Sequence, residues 1–367
     1  MYKWLAYGNG GPRRRARRAP SLPAPPAHRS PLAALPADGK QPQSDAGFFQ
    51  RREFCFTLDG DIFVRYQSFK DGAEMAAAVA ARCPAKIDIG PVYNVDPQRR
   101  AAYAAGGTGQ GFVPVERELV FDIDLTDYDD VRTCGSGGHI CGKCWPLMAA
   151  AVAILDAGLR EDFGFKHVLF VFSGRRGVHA WVCDERARRL TDEQRSAIAG
   201  YFAVYKGVEK GLAKLATGTD DHPSVARAYE VLRTAFLRRV LPGQALLEDP
   251  AHMERVLACV PSEAVREAAR RRWAGVAGAP GERSVRRWEA LEELVEAESR
   301  ALVRAAPREA LRAAQALDKS LKDIVFTYTY PRLDMEVSKK ASVLCATEDA
   351  QGGCRARSPA ALHSTVL

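Results

Sequence analysis

The sequence predicts an α/β (α+β) fold: a mixed-sheet core carrying a cysteine metal knuckle, with a helical subdomain inserted into it. Three observations carry this. Glu118-Leu119-Val120-Phe121-Asp122-Ile123-Asp124-Leu125 alternates as a strand does. Cys141-x-x-Cys144 follows it in a glycine-rich loop. From Thr191 to about Lys322 the apolar spacing turns helical.

With 367 residues, 47% hydrophobic and 27% charged, the chain can bury a large core or a main domain with a subdomain. No apolar run approaches the roughly 18 residues that span a bilayer, so no membrane partner is expected. The first eight residues are too short and polar for a secretion signal. Nine cysteines without such a signal point to a reducing compartment, where paired thiols more often hold metal than form disulfides. Of the net charge of +8, residues 10–46 supply seven basic and two acidic side chains, a net +5. The remaining +3 is weak ground for nucleic-acid binding by the folded part.

Residues 1–47 read as an N-terminal fragment with a disordered Pro/Arg-rich insert. A core over 48–190 opens with strands at Glu53–Leu58 and Ile62–Tyr66 around the turn Asp59-Gly60-Asp61. A helix over Asp71–Ala81 and a strand at Lys86–Gly90 come next, before the acidic strand. A helix over Pro146–Glu161 follows the cysteines, then a buried strand His167–Phe172 and its return Ala180–Cys183. Residues 191–322 form the helical subdomain, whose arginines read as solvated faces. The alternation from Val325 to Tyr330 predicts a strand returning to the core over 323–340, and 341–367 reads as a divergent, disordered tail.

Three places carry candidate chemistry. Asp122 and Asp124 share one strand face, about 6.5–7 Å apart at the ~3.3 Å rise per residue. They are either solvated surface acids or a pair that leans together around divalent metal ions. Cys141 and Cys144 have the spacing of half a tetrahedral zinc site, with Cys134 a third ligand and His139 a candidate fourth; the alternative is free thiols in a flexible loop. Ser173-Gly174-Arg175-Arg176-Gly177-Val178-His179 joins two strands. Its glycines let backbone approach a ligand, and its arginines offer forked donors to phosphate oxygens. A basic hairpin tip is the other reading.

Several of these stretches together resemble a known family. Glu118 to Val131 (ELVFDIDLTDYDDV), Cys141 to Trp145 (CGKCW), Asp162 to Asp184 (DFGFKHVLFVFSGRRGVHAWVCD) and Pro331 to Lys339 (PRLDMEVSK) resemble the small, catalytic subunit of eukaryotic-type DNA primase, of the archaeo-eukaryotic primase family. Arg52 to Phe69 and Lys86 to Tyr93 match as well, and the likeness covers roughly 48–340.

The resemblance implies a DNA-directed RNA polymerase that makes short primers on single-stranded DNA by two-metal nucleotidyl transfer. Asp122, Asp124 and Asp334 would hold Mg²⁺ or Mn²⁺. Ser173, Gly174, Arg175, Arg176, Gly177, Val178 and His179 would bind the ribonucleoside triphosphate, with Glu53, Arg65 and Asp88 lining the same site. Cys134, Cys141 and Cys144 would bind structural Zn²⁺. Expected partners are the primase large subunit, the catalytic and accessory subunits of DNA polymerase alpha, the template and the RNA primer, in the nucleus.

Two departures bear on the site. The family carries two adjacent cysteines where this chain has Cys134-Gly135. Past Lys340 the family supplies a histidine, a lysine and a second histidine to the nucleotide, whereas residues 341–367 hold no lysine and only His363. The alternative expectation is therefore a catalytically impaired small-subunit isoform without that nucleotide-binding segment.

Overall fold

A computed structural model describes residues 47–104, 111–203, 205–209, 212–215, 222–305, 308–342 and 344–347. In chain order its elements are β1 (Arg52–Leu58), β2 (Ile62–Gln67), α1 (Gly72–Arg82), β3 (Lys86–Tyr93), α2 (Arg100–Ala104), β4 (Pro114–Glu116) and β5 (Leu119–Asp124). Then come α3 (Trp145–Ala157), β6 (Val168–Phe172), β7 (Gly177–Val182), α4 (Glu185–Arg188), α5 (Asp192–Phe202), β8 (Tyr205–Glu209) and β9 (Leu212–Leu215). The chain continues with α6 (Pro223–Ala235), α7 (Leu241–Gln244), α8 (Pro250–Ala258), α9 (Glu263–Ala274), α10 (Pro280–Ala305), α11 (Arg308–Thr329), α12 (Met335–Lys339) and β10 (Cys345–Thr347). This is an α+β chain of helices and antiparallel sheet. The Pro/Arg-rich insert expected to be disordered, residues 9–46, lies outside the described residues.

Two compact units divide the chain. The first comprises residues up to Asp122, Leu159–Ala199 and Asp334 onward; the second comprises Ile123–Gly158 and Gly200–Leu333.

In the first unit, one sheet has the order β10-β3-β1-β2 with β4 also on β3. The β1–β2 turn works because Gly60 (φ 79°) and Asp61 (φ 58°) both take the left-handed region, which these residue types tolerate. Asp71 caps α1 by accepting the amides of Ala73 and Glu74. A second sheet, β5-β7-β6, adds Val120, Trp181 and the adjoining Cys183 to a core with Phe54, Phe56, Phe69, Met75, Val79, Ile87 and Ile89. Strand β6, read from sequence as buried, is half-buried along its length.

Buried charges pin this unit together. Arg52 clamps Glu118 with two bonds of 2.6 and 2.8 Å and also donates to Gly90 O at 2.8 Å. Arg195, read as part of a solvated helix face, is fully buried and donates to the carbonyls of Leu190, Arg117, Glu118, Ala187 and Arg188. Its i and i+4 neighbours gave no hint of this, because the acceptors are the carbonyls of the preceding segment Ala187–Leu190 and, from far away in sequence, of Arg117 and Glu118.

In the second unit, α10 packs between α9 and α11, with Trp273 and Trp288 at 0% and 1% exposure. Trp273 Nε1–H donates to Arg287 O at 2.7 Å, which satisfies a buried indole. Two sequence expectations fail here. Tyr205–Glu209 and Leu212–Leu215 form the antiparallel pair β8–β9 and not helix. Gly207 within β8 and Gly211 in the sequence are poor helix formers, each costing about 1 kcal/mol against alanine.

The strand expected at Val325–Tyr330 is instead the end of α11. Every residue from Ile324 to Thr329 is buried, so the apparent alternation is a helix enclosed on all sides. Thr327 and Thr329 turn their hydroxyls back onto the carbonyls of Asp323 and Val325 at 2.7 and 2.6 Å, which lets β-branched residues finish a helix. At the other end of the chain, the tail expected to be disordered contributes β10, paired to β3 with Ala346 opposite Asp88.

Candidate active site and cysteine knuckle

Strand β5 rises into the first unit's core and then changes character. Phe121 and Ile123 are 0% exposed, while Asp122 and Asp124, on the alternate face, are half-buried. This is the period of two read from the sequence. The same residues bring Asp334 to the strand. Its main-chain N–H donates to Asp122 O at 3.0 Å, and the two residues form an antiparallel bridge.

That bridge is secured behind Asp334. Ser338 Oγ donates to Val120 O at 2.7 Å, and the fully buried Arg117 donates to the carbonyls of Val337 and Lys340 at 3.1 and 3.2 Å. The Asp334 carboxylate caps α12 through Glu336 N at 2.9 Å, and the Asp124 carboxylate caps the turn Leu125–Tyr128 through Thr126 N at 2.8 Å. Sequence reasoning did not find Arg117 or Ser338, because a residue that braces a carbonyl leaves no spacing signal.

Strand β7 places a histidine on this carboxylate. His179, 5% exposed and opposite Val171 in the β6–β7 register, sets Nε2 3.3 Å from Asp122 Oδ1. At the hairpin tip, Ser173 N–H donates to Gly177 O and Gly177 N–H returns to Ser173 Oγ, both at 2.9 Å. Gly174 takes φ 103°, which a side chain would strain. Between these closures Arg175 is exposed and Arg176 half-buried. Val178 is buried beneath them.

Glu53, Arg65 and Asp88 meet on the other sheet of this unit. A bulge between Phe54 and Phe56 aims Arg65 at Glu53, 2.9 Å away. Glu53 also accepts from Tyr66 N at 3.2 Å and Tyr93 O–H at 3.1 Å. Tyr66 sits at φ 60°, an uncommon conformation for a bulky residue, with Arg65 and Arg100 over its ring. Burial raises the Asp88 carboxyl above its ordinary range, and Cys55 beside it works the other way. Burial and the neighbouring acids push the Cys55 thiol up to about 12.

In the second unit, Cys134, Cys141 and Cys144 bring their sulfurs within 4.8 Å of one another, a set that suits a thiolate-loving metal such as zinc. His139 is not among them; its ring lies on Gly135, where an added Cβ would sit 2.5 Å from His139 Cδ2. Burial pushes the Cys134 thiol up to about 11, against a hydrogen bond from Gln244. Cys141 is drawn down to about 6: burial opposes this, but hydrogen bonds from the amides of Lys143 and Cys144 and from the Cys134 and Cys144 thiols together outweigh it.

Fold and sites together define an α+β protein with a carboxylate pair on a sheet, a basic glycine hairpin beside it and a cysteine knuckle. The family described as DNA primase small subunit matches residues 121–348, and the chain belongs to that family. It is 40% identical over 293 residues to the DNA primase small subunit of Schizosaccharomyces pombe, covering 79% of this chain and 61% of the relative. Against that of Drosophila melanogaster it is 43% identical over 226 residues, 61% and 50% of the two chains. Against that of Saccharomyces cerevisiae it is 33% identical over 290 residues, 79% and 68%. The chain thus spans about half to two thirds of the length of these relatives. Among the described residues no helix is long and apolar enough to cross a membrane.

Proposed function

We propose that this chain joins ribonucleotides into short RNA primers on a single-stranded DNA template. The observation that carries this reading is the bridge that sets Asp334 beside Asp122, with His179 on the Asp122 carboxylate. Residues far apart in sequence converge there: the Asp122 carboxylate is half-buried and that of Asp334 exposed, with the buried His179 ring behind them.

Asp122, Asp124 and Asp334 would hold Mg²⁺ or Mn²⁺. Two carboxylates on one strand face repel, which a cation between them would relieve, although among the described residues only Cys134, Cys141 and Cys144 bring three ligand atoms within 4.8 Å of one another. Ions bound there would acidify an attacking 3′-hydroxyl and offset charge on the departing pyrophosphate. Arg175 and Arg176 hold the triphosphate with forked donors, and Gly174 and Gly177 let its oxygens approach backbone amides. His179 keeps the Asp122 carboxylate oriented. Glu53 and Arg65 line the nucleotide site, and Asp88 meets the ribose. The cysteine knuckle holds Zn²⁺ structurally.

The expected assembly includes the primase large subunit and the DNA polymerase alpha subunits, in the nucleus. The deciding experiment is primer synthesis on single-stranded template by the purified chain, with and without the large subunit. Short template-dependent RNA supports the reading; none in either arm removes it.

Double replacement Arg175→Ala with Arg176→Ala is expected to raise the nucleotide KM roughly tenfold or more, at about 1.5–3 kcal/mol per lost charged hydrogen bond. The melting temperature should fall only slightly, because Arg175 is exposed and Arg176 no more than half-buried. Steady-state kinetics and thermal melts check both.

A second reading rests on the composition past Lys340, where no lysine and only His363 occur. It is a small-subunit form that keeps the fold but binds nucleotide too weakly to turn over. Titration of nucleotide with Mn²⁺ separates the two: binding below millimolar concentration favours catalysis, and none at millimolar favours the impaired form.

A further inference from the structure

Gln244 closes α7 with its side chain 4% exposed, although it is polar. Its carboxamide reaches back to the cysteine loop. Oε1 accepts the main-chain N–H of Thr133 at 2.7 Å and of Cys134 at 3.1 Å, and the Thr133 hydroxyl at 3.1 Å. Nε2 donates to Lys143 O at 2.7 Å and to Cys134 Sγ at 3.3 Å. The Thr133 hydroxyl also meets the Gln244 carbonyl. Turning the amide over would set N–H against two N–H groups and oxygen against a carbonyl, so the network fixes its orientation.

One side chain thereby ties the Cys134 arm to the segment between Cys141 and Cys144. Its own base is firm. A Cβ at Gly281 of α10 would sit 2.6 Å from Pro242 O, so α10 touches the α7 backbone directly.

We propose that Gln244 is a positioning residue for a zinc ion at Cys134, Cys141 and Cys144, with its Nε2–H holding the Cys134 sulfur in the binding geometry. The proposal rests on reading the three cysteines as a metal site. Three thiolates on one divalent ion leave excess negative charge on sulfur. A buried N–H directed at one of them relieves that charge and orients the lone pair, as outer partners of metal ligands do.

The full chain, its Gln244→Leu variant and its Gln244→Glu variant are titrated with Co²⁺ and then with competing Zn²⁺. Wild type is expected to take one Co²⁺ with intense sulfur-to-metal absorption. Gln244→Leu should bind Zn²⁺ roughly 10- to 100-fold more weakly. Gln244→Glu keeps the acceptor oxygens but cannot donate to sulfur. Its sulfur-to-cobalt band should move to lower energy, because an undonated thiolate gives up charge more readily. A merely structural role would lower melting temperatures with and without metal and leave that band in place, which overturns the proposal. Zinc affinity unchanged in both variants also overturns it. A wild-type chain that shows no sulfur-to-cobalt absorption overturns the metal reading and the proposal together.

Discussion

Asp334→Asn is expected to lower template-directed nucleotide incorporation about a thousandfold while the protein stays folded. A carboxylate that helps hold a catalytic cation supports several kcal/mol of charge stabilisation in the transition state, and each ~1.36 kcal/mol is tenfold in rate. The structural work of Asp334 survives the change. Its bridge to Asp122 uses main-chain atoms, and its cap on Glu336 N needs only a side-chain oxygen, which asparagine supplies. Single-turnover incorporation and a thermal melt on the same preparation separate the effects. Unchanged incorporation would take Asp334 out of the chemistry and leave it a helix cap.

Arg52→Met is expected to have the largest effect on stability, about 3–5 kcal/mol, because it strands a buried carboxylate. Arg52 is 5% and Glu118 1% exposed, and both guanidinium nitrogens that face Glu118 are engaged. The cost corresponds to roughly 10 °C in melting temperature for a unit of this size.

The pH dependence carries a second signature. Burial pushes the Glu118 carboxyl up, but the Arg52 charge and its hydrogen bonds pull it further down, so it ends below its ordinary value. A depressed acid contributes stability that is complete above its unfolded pKa of about 4.3 and is lost as pH falls through the folded one. Without Arg52, burial, the largest influence, is opposed only by a backbone hydrogen bond and the Arg188 charge, so the same group moves up and folds more readily protonated. The gap between wild type and variant should therefore narrow as pH drops from about 7 to about 4.5, as read by urea unfolding. A gap that stays constant across that range would mean that lost packing of the arginine stem, and not charge, sets the cost.

How legible these features were in sequence follows from how local each one is. The Asp122/Asp124 face, the Ser173–His179 hairpin and the helices from Asp192 and Pro223 onward rest on spacing within one element, and spacing survives folding. The α1 cap at Asp71 is equally local. What escaped notice depends on partners outside the element that carries the residue. Arg195 looked like a surface arginine until five carbonyls closed around it.

The end of α11 misled for a related reason. Ile324 to Thr329 is β-branched and aromatic, and strand propensity reflects a half-buried surface, which a fully enclosed helix end imitates. Asp334 carried no local mark at all; only its resemblance to a family motif singled it out, and the structure sets its backbone against that of Asp122. Gln244 is the clearest omission, since its partners lie in the loop of Thr133 to Lys143.

The central claim is that Asp122, Asp124 and Asp334 act as one cation-holding centre. Electron paramagnetic titration of Mn²⁺, in the presence of a ribonucleoside triphosphate, tests it most directly. Wild type should bind two ions beyond those taken up by free nucleotide, and Asp122→Asn and Asp334→Asn should each lose at least one. Equal Mn²⁺ uptake by wild type and both variants would contradict the account.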